Sequence, residues 1–261
     1  MTIIEKNHHL TKAQLEAVNH TKGPVLVVAG PGSGKTRVLA HRIANLINNH
    51  DVLAENLLAV TFTNKAAQEM RDRCQNLLQS AFSLNIYTFH SLSSFLLRSY
   101  GSHIGIDSNF SIIDSNDQLR IIKRILKSLD KDPKLLPFKI NTLISEISLA
   151  KNFKLSPSQY IKKFGNQDSL GGFYQNIFEM YEYYEDELKR SNTLDFDDLL
   201  LKTVTLLQNH EETRSICESK FKYLLVDEFQ DTNWLQYMWL KTLTGDSGNL
   251  FIVGDDDQSI Y

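Results

Sequence analysis

The stretch Val25-Leu26-Val27-Val28-Ala29-Gly30-Pro31-Gly32-Ser33-Gly34-Lys35-Thr36 decides the fold. Its four leading apolar residues read as a buried strand. From Arg37 onward, Leu39, Ile43, Leu46 and Ile47 recur on one face of a helix. A strand, a glycine-rich turn and a helix entered through Gly-Lys-Thr form the pattern of a phosphate-binding loop. The glycines Gly30, Gly32 and Gly34, with Ser33 between them, let backbone N–H groups close around phosphate oxygens. The helix N-terminus adds a partial positive charge. In this pattern Lys35 reaches the β- and γ-phosphates of ATP and Thr36 offers its hydroxyl to Mg²⁺. Ala29 stands where the first glycine is usual, so the match is to the loosened form of the pattern. The bland alternative is an ordinary strand-to-helix turn, and it gives the Lys-Thr pair at the helix start no purpose.

Working outward, further apolar runs at 57–63, 85–89, 221–226 and 249–254 read as strands. They alternate with helical patterning, which predicts an α/β fold with a parallel sheet. The polar residues that follow these strands then gather at one edge, where open α/β sheets bind ligands. Asp227 closes the 221–226 run and sits where a carboxylate must hold Mg²⁺ opposite the loop; Glu228 beside it can polarise water as general base. Gln258, after the last run, is placed to sense a γ-phosphate. The aspartates 255–257 before it read as a polar turn rather than a metal site. Gln14, upstream of the loop, carries the donor and acceptor that an adenine edge needs. Thr11 or a neighbour caps the helix that bears it. Thr63 or Asn64 caps the helix after the second strand, with Ala67, Met70, Cys74 and Leu77 inward. Phe62 reads either as core or as a stacking platform, and His90, taken alone, as structural.

Between 109 and 192 the pattern turns mostly helical. Ser115 with Gln118 reads as a capping box, followed by Leu119, Ile122, Ile125, Leu126 and Leu129 inward. From Arg120 to Lys163 there are eleven Lys and Arg against three Asp and Glu, inside a chain of net charge −3. That local excess is either a solvated helical face or a surface for a nucleic-acid backbone. The aromatics from Tyr174 to Tyr184 fall at helical spacing and read mostly as packing. A new helix is expected from Thr193, with Asp195, Asp197 and Asp198 complementing its dipole.

The totals set bounds. A content of 42% hydrophobic and 23% charged residues describes a soluble globular chain. No apolar run spans a bilayer, and the first twelve residues lack a signal core, so a cytoplasmic location and no membrane partner are expected. Two cysteines, Cys74 and Cys217, have no metal-ligand spacing and read as buried fillers.

Taken together, these residues resemble the UvrD/Rep/PcrA family of superfamily 1 DNA helicases. Leu10 to Gln14 is similar to the adenine-reading Q motif, and Ala29 to Arg37 to motif I, including the family's alanine. Residues 59–67 resemble motif Ia, 88–92 the next DNA-contacting motif, 226–232 motif II and 253–261 motif III. The resemblance implies a RecA-like P-loop ATPase domain in two parts, 1–108 and 193–261, interrupted by a helical insertion at 109–192. It implies ATP and Mg²⁺ as cofactors, with Arg37 in the nucleotide site. Single-stranded DNA would cross Phe62, Asn64, His90 and Tyr261, and the substrate would include junctions of single and double strands. The implied activity is ATP-driven 3′-to-5′ unwinding in repair and replication. The sequence stops at Tyr261, where relatives continue with Trp-Arg-Gly-Ala, so the second motor domain is expected to be absent. The chain alone is then expected to bind Mg·ATP but hydrolyse it poorly. The alternatives are a non-catalytic nucleotide- or DNA-binding module, or half of a split helicase completed by a second chain.

Overall fold

Seven strands and eleven α-helices lie along the residues that the computed structural model describes: 10–78, 83–131, 138–165, 172–245 and 248–255. Gln258 and Tyr261 lie outside them. The chain divides into two compact units. One comprises Met1–Leu92, His210–Thr232 and Gln236–Tyr261; the other comprises Ser93–Asn209 and Asn233–Leu235.

The first unit is built on a five-stranded sheet. Its strands are β1 (Val25–Val28), β2 (Leu57–Thr61), β3 (Asn85–Thr88), β6 (Tyr223–Val226) and β7 (Leu250–Gly254). They lie in the order β1-β7-β6-β2-β3, and every pairing is parallel. Short runs of Val, Leu and Ile are what a sheet covered on both faces requires. One face is packed by α1 (Lys12–Asn19), α2 (Lys35–His50) and α3 (Asn64–Leu78). Leu39, Ile43 and Leu46 of α2, with Ala67, Met70 and Cys74 of α3, meet Ala59, Leu225, Phe251 and Val253 there. Thr63 caps α3, its hydroxyl accepting from Ala66 N–H at 3.1 Å. The strand after the second apolar run stops at Thr61, because the chain must turn into this cap.

The second unit is mostly helical. α4 (Phe89–Tyr100) carries the chain into it, followed by β4 (Ser111–Ile112) and α5 (Ser115–Ser128). Next come α6 (Ile140–Asn152), α7 (Pro157–Phe164), α8 (Phe173–Arg190), β5 (Thr193–Leu194) and α9 (Phe196–Asn209). The remaining helices, α10 (Glu211–Lys220) and nearly all of α11 (Trp234–Thr244), belong to the first unit. The unit begins before residue 109 and ends after 192 because Leu97 of α4 and Leu199 and Leu206 of α9 pack with Phe110. Ile122, Leu126, Leu143, Ile147, Ile177, Met180, Tyr181 and Tyr184 form the other core cluster.

Two local expectations are corrected. Asp114, not Ser115, caps α5, its carboxylate accepting from the N–H groups of Asn116 and Asp117 at 2.8 and 2.9 Å. A carboxylate is the stronger acceptor and also meets the helix dipole. Gln118 is drawn instead to Tyr184 and Asp195, at 3.1 and 3.3 Å. Thr193-Leu194 is a strand paired with β4, and the helix starts only at Phe196.

The acids ahead of α9 do more than face a dipole. Lys151 is fully buried, with Asp195 at 2.8 Å, Glu185 at 2.8 Å and Asp198 at 3.0 Å. The Tyr184 hydroxyl also donates to Asp195, at 2.9 Å. The carboxylates hold the Lys151 ammonium charged against its desolvation, and Lys151 holds Asp195 below the usual carboxylate range despite its burial. Burial pushes the Asp198 carboxyl up to about 7.

Lys151→Met removes the buried counter-charge of Asp195 and leaves Glu185 and Asp198 only Lys202, at 3.9 and 4.0 Å; it is expected to cost about 3–5 kcal/mol, read from urea unfolding. Asp198 binds a proton in the folded state at a pH where the unfolded carboxyl has lost it. Its contribution therefore fades as pH rises from the unfolded value near 3.8 to about 7. Asp198→Asn should flatten the fall in stability across that window; an unchanged slope would assign it to other groups.

Candidate nucleotide site

The parallel sheet brings five strand ends to one edge, so residues far apart in the chain meet there. After β1 the chain turns through the glycine loop into α2, and Gly32 and Gly34 adopt φ of +70° and +85°. Those left-handed values are cheap only for glycine. At Gly34 a Cβ would also lie 3.2 Å from the Arg37 guanidinium and 3.3 Å from Gln14 Nε2.

Lys35 is 8% exposed. Its ammonium donates to Asp255 at 2.9 Å, to Ala29 C=O at 3.0 Å and to Gly30 C=O at 3.3 Å. One residue on, the Thr36 hydroxyl donates to Asp227 at 3.0 Å. Asp227 is buried at the end of β6, and its own N–H is held by Val60 C=O at 3.1 Å. Burial pushes the Asp227 carboxyl up, and the bond from Thr36 opposes that shift. Glu228 follows with φ +52° and ψ +44°, a left-handed backbone that a long side chain adopts at a cost. Gln230 ties the wall together: its Nε2 donates to Glu228 at 2.7 Å and its Oε1 accepts from Asp255 N–H at 2.9 Å.

Lys35, Thr36 and Glu228 line a cavity of about 280 Å³ with Gly32, Gly34, Arg37 and Arg73. Arg37 Nε is buried with no hydrogen-bond partner among the described residues, a donor left for an incoming acceptor. Thr36 and Asp227 are hard oxygen donors within bonding distance of each other, the set that Mg²⁺ prefers. The donors present thus fit a magnesium–phosphate group. Gln14 joins α1 to the loop: its Oε1 accepts from Thr11 N–H at 2.8 Å and its Nε2 donates to Ser33 C=O at 2.7 Å. Each end of its amide retains capacity for one further bond.

Three residues of this site carry no local signal. Asp255 serves as the counter-charge of Lys35, where spacing suggests only a polar turn. Gln230 and Arg73 are recognisable only once the sheet edge and α3 are assembled.

The DNA-facing candidates in the first unit lie after β2 and β3. Phe62 is half-buried, its ring edge-on to Phe89 at 5.4 Å. Asn64 is exposed in the first turn of α3. His90, half-buried in the first turn of α4, has its pKa lowered by burial. In the helical unit the basic excess is partly neutralised. Arg120 pairs with Asp117, Arg124 with Glu187 and Lys131 with Glu179, while Lys151 is interior. Lys123 and Lys127 remain exposed on α5. Phe153, Phe196 and Trp234, each about half-exposed, line an aromatic cavity of about 570 Å³ in the same unit. Their spacing in sequence gives no hint of this grouping.

Residues 10–261 match the model of the UvrD/REP helicase N-terminal domain. The chain is similar to the ATP-dependent DNA helicase PcrA of Bacillus subtilis, with 45% identity over 254 residues, covering 97% of this chain and 33% of that protein. The PcrA of Leuconostoc citreum is 43% identical over 263 residues, covering 100% and 34%. For the PcrA of Staphylococcus aureus Mu50 the values are 44% over 255 residues, 97% and 34%. The chain spans about a third of the length of these curated relatives.

Gly34→Ala forces a side chain into a left-handed residue and against Arg37. It is expected to cost about 1–2 kcal/mol, seen as a lowered melting temperature; an unchanged melt would mean that the loop tolerates other backbone shapes.

Proposed function

The chain belongs to the UvrD/Rep helicase family, as its N-terminal domain, and on that premise we propose that it is the ATP-binding, DNA-gripping half of a 3′-to-5′ DNA helicase. It is a RecA-like P-loop ATPase domain carrying a mostly helical insertion. The observation that carries the proposal is the pairing on adjacent residues. Lys35 pairs with Asp255 and Thr36 with Asp227, and Lys35 and Thr36 line one cavity beside Glu228.

Each group has a task. The loop N–H groups and Lys35 bind the β- and γ-phosphates, Lys35 turning from Asp255 as they arrive. Thr36 and Asp227 would hold Mg²⁺, which would supply charge neutralisation for the phosphates. Arg37 and Arg73 add positive charge at the cavity rim. Glu228, steadied by Gln230, orients the attacking water and takes its proton. Gln14 reads the adenine edge with its remaining donor and acceptor. Gln258 senses the γ-phosphate. Phe62, Asn64, His90 and Tyr261 contact single-stranded DNA, with the Phe153, Phe196 and Trp234 rings available for base stacking. Lys123 and Lys127 meet phosphates at a junction of single and double strands.

By itself the 261-residue chain is proposed to bind Mg·ATP and hydrolyse it slowly. An arginine placed across the γ-phosphate is worth roughly 10³–10⁵ in rate in related enzymes. The relatives named helicases are about three times as long. A separate chain carrying a second motor domain would restore turnover.

Isothermal titration with Mg·ATP tests the site. Lys35→Ala is expected to abolish measurable binding; affinity equal to the parent would refute the phosphate-loop role. Glu228→Gln should keep binding and remove residual hydrolysis. Neutralising Lys123 and Lys127 together should weaken single-stranded DNA binding and lower the salt slope by about one to two, with no change if α5 is merely solvated.

A further inference from the structure

Gln14 is carried by a helix that the core holds at a single point. α1 has eight residues, too few to be stable alone in water, and Val18 is its one buried residue. What fixes it is α2. The last four carbonyls of a helix have no partner within it. In α1 three of them, those of Ala17, Val18 and His20, accept from α2 side chains. The Arg42 guanidinium donates to Ala17 C=O at 3.1 Å and to His20 C=O, and Asn45 Nδ2 donates to Val18 C=O at 3.2 Å. Asn45 Oδ1 accepts in turn from Asn49, at 2.6 Å.

Arg42 is 2% exposed. Among the described residues its charge is met by those two carbonyls and by the Phe251 ring, 4.2 Å away, rather than by a carboxylate. The carbonyl end of a helix bears partial negative charge, so a cation suits the place. Burial lowers the Arg42 pKa to about 10, which leaves it charged at neutral pH. An apolar side chain would fill the same space without the cost of burying a charge. What the planar guanidinium adds is a fixed direction for α1. The other end of α1 is tied to the start of α2. Gln14 lies one turn before Ala17 and Val18, on the same helical face, and its Nε2 donates to Ser33 C=O just ahead of α2.

We propose that Arg42, helped by Asn45, is a positioning residue for base selection. By gripping the carbonyl end of α1 it sets the Gln14 amide at the height and angle that favour a 6-amino purine over a 6-oxo purine. Neither Arg42 nor Asn45 touches the nucleotide. The inference rests on the adenine-reading role proposed for Gln14. Misplacing a positioning group by about 1 Å can cost about a hundredfold; with the bond to Ser33 still in place, a smaller loss is expected here.

Isothermal titration with Mg·ATP, Mg·GTP and Mg·tripolyphosphate separates base reading from phosphate binding. The parent should favour ATP over GTP by about tenfold, the scale of a net hydrogen bond. Gln14→Ala should erase that preference. Arg42→Met should weaken ATP binding by about tenfold and Asn45→Leu by about threefold, with GTP and tripolyphosphate affinities held. Arg42→Lys should restore part of the preference. In the Gln14→Ala background, Arg42→Met should leave the ATP-to-GTP ratio where it was. Asn45→Leu and Arg42→Lys decide the matter should Arg42→Met fail to fold. Equal losses for all three ligands would make the clamp structural only and overturn the proposal. So would parental selectivity in the Arg42 and Asn45 variants beside a Gln14→Ala variant that has lost it. A parent indifferent to the base, or a Gln14→Ala variant that keeps the preference, would strike the adenine reading itself, and this proposal with it.

Discussion

A buried ammonium must have a counter-charge, and at Lys35 that requirement organises the candidate nucleotide site. Its stem is held in the first turn of α2, while its carboxylate comes from Asp255 at the end of β7, far along the chain. The contact forms only if β1 and β7 are neighbours and parallel, so the charge pair and the strand order demand each other. Thr36 and Asp227 repeat the logic one strand further in, at the end of β6. On the proposed function, an arriving phosphate group would replace the lysine's partner with a stronger one, and the same ammonium would serve both stability and binding.

The helical unit solves a similar problem differently. Lys151 has three carboxylates and no opening to solvent. Such a cluster confers little net stability over an apolar core, yet it tolerates the loss of no single member. It fixes the turn between β5 and α9, from which Phe196 projects beside Phe153 and Trp234. Interior charge here shapes a surface that carries aromatic rings.

Much of this was legible in the residues themselves. Apolar runs, the glycine loop and the acidic pair at 227–228 locate the sheet, its functional edge and the phosphate cradle, because each is encoded within a few neighbouring positions. What stayed hidden depends on distance. The roles of Asp255, Gln230 and Arg73 exist only after strands separated by many residues assemble. Lys151 counts as surface charge in any tally of basic residues, since nothing local reveals that it faces three acids. The cap at Asp114 and the strand at Thr193-Leu194 turn on which acceptor and which pairing win locally, a competition that periodicity does not register. The extent of the helical unit was similarly set by which partners Leu97 and Leu206 find.

Glu228 holds a left-handed backbone with a side chain ill suited to it. Asparagine or glycine would occupy that geometry with less strain, but neither can act as a proton acceptor on water. Substitutions that calm the peptide unit would therefore remove the general base proposed for it. An engineer seeking a hardier version of this domain by consensus or by screening for heat resistance alone would be drawn toward an inert one at this position, and selection for turnover would have to oppose that drift continuously.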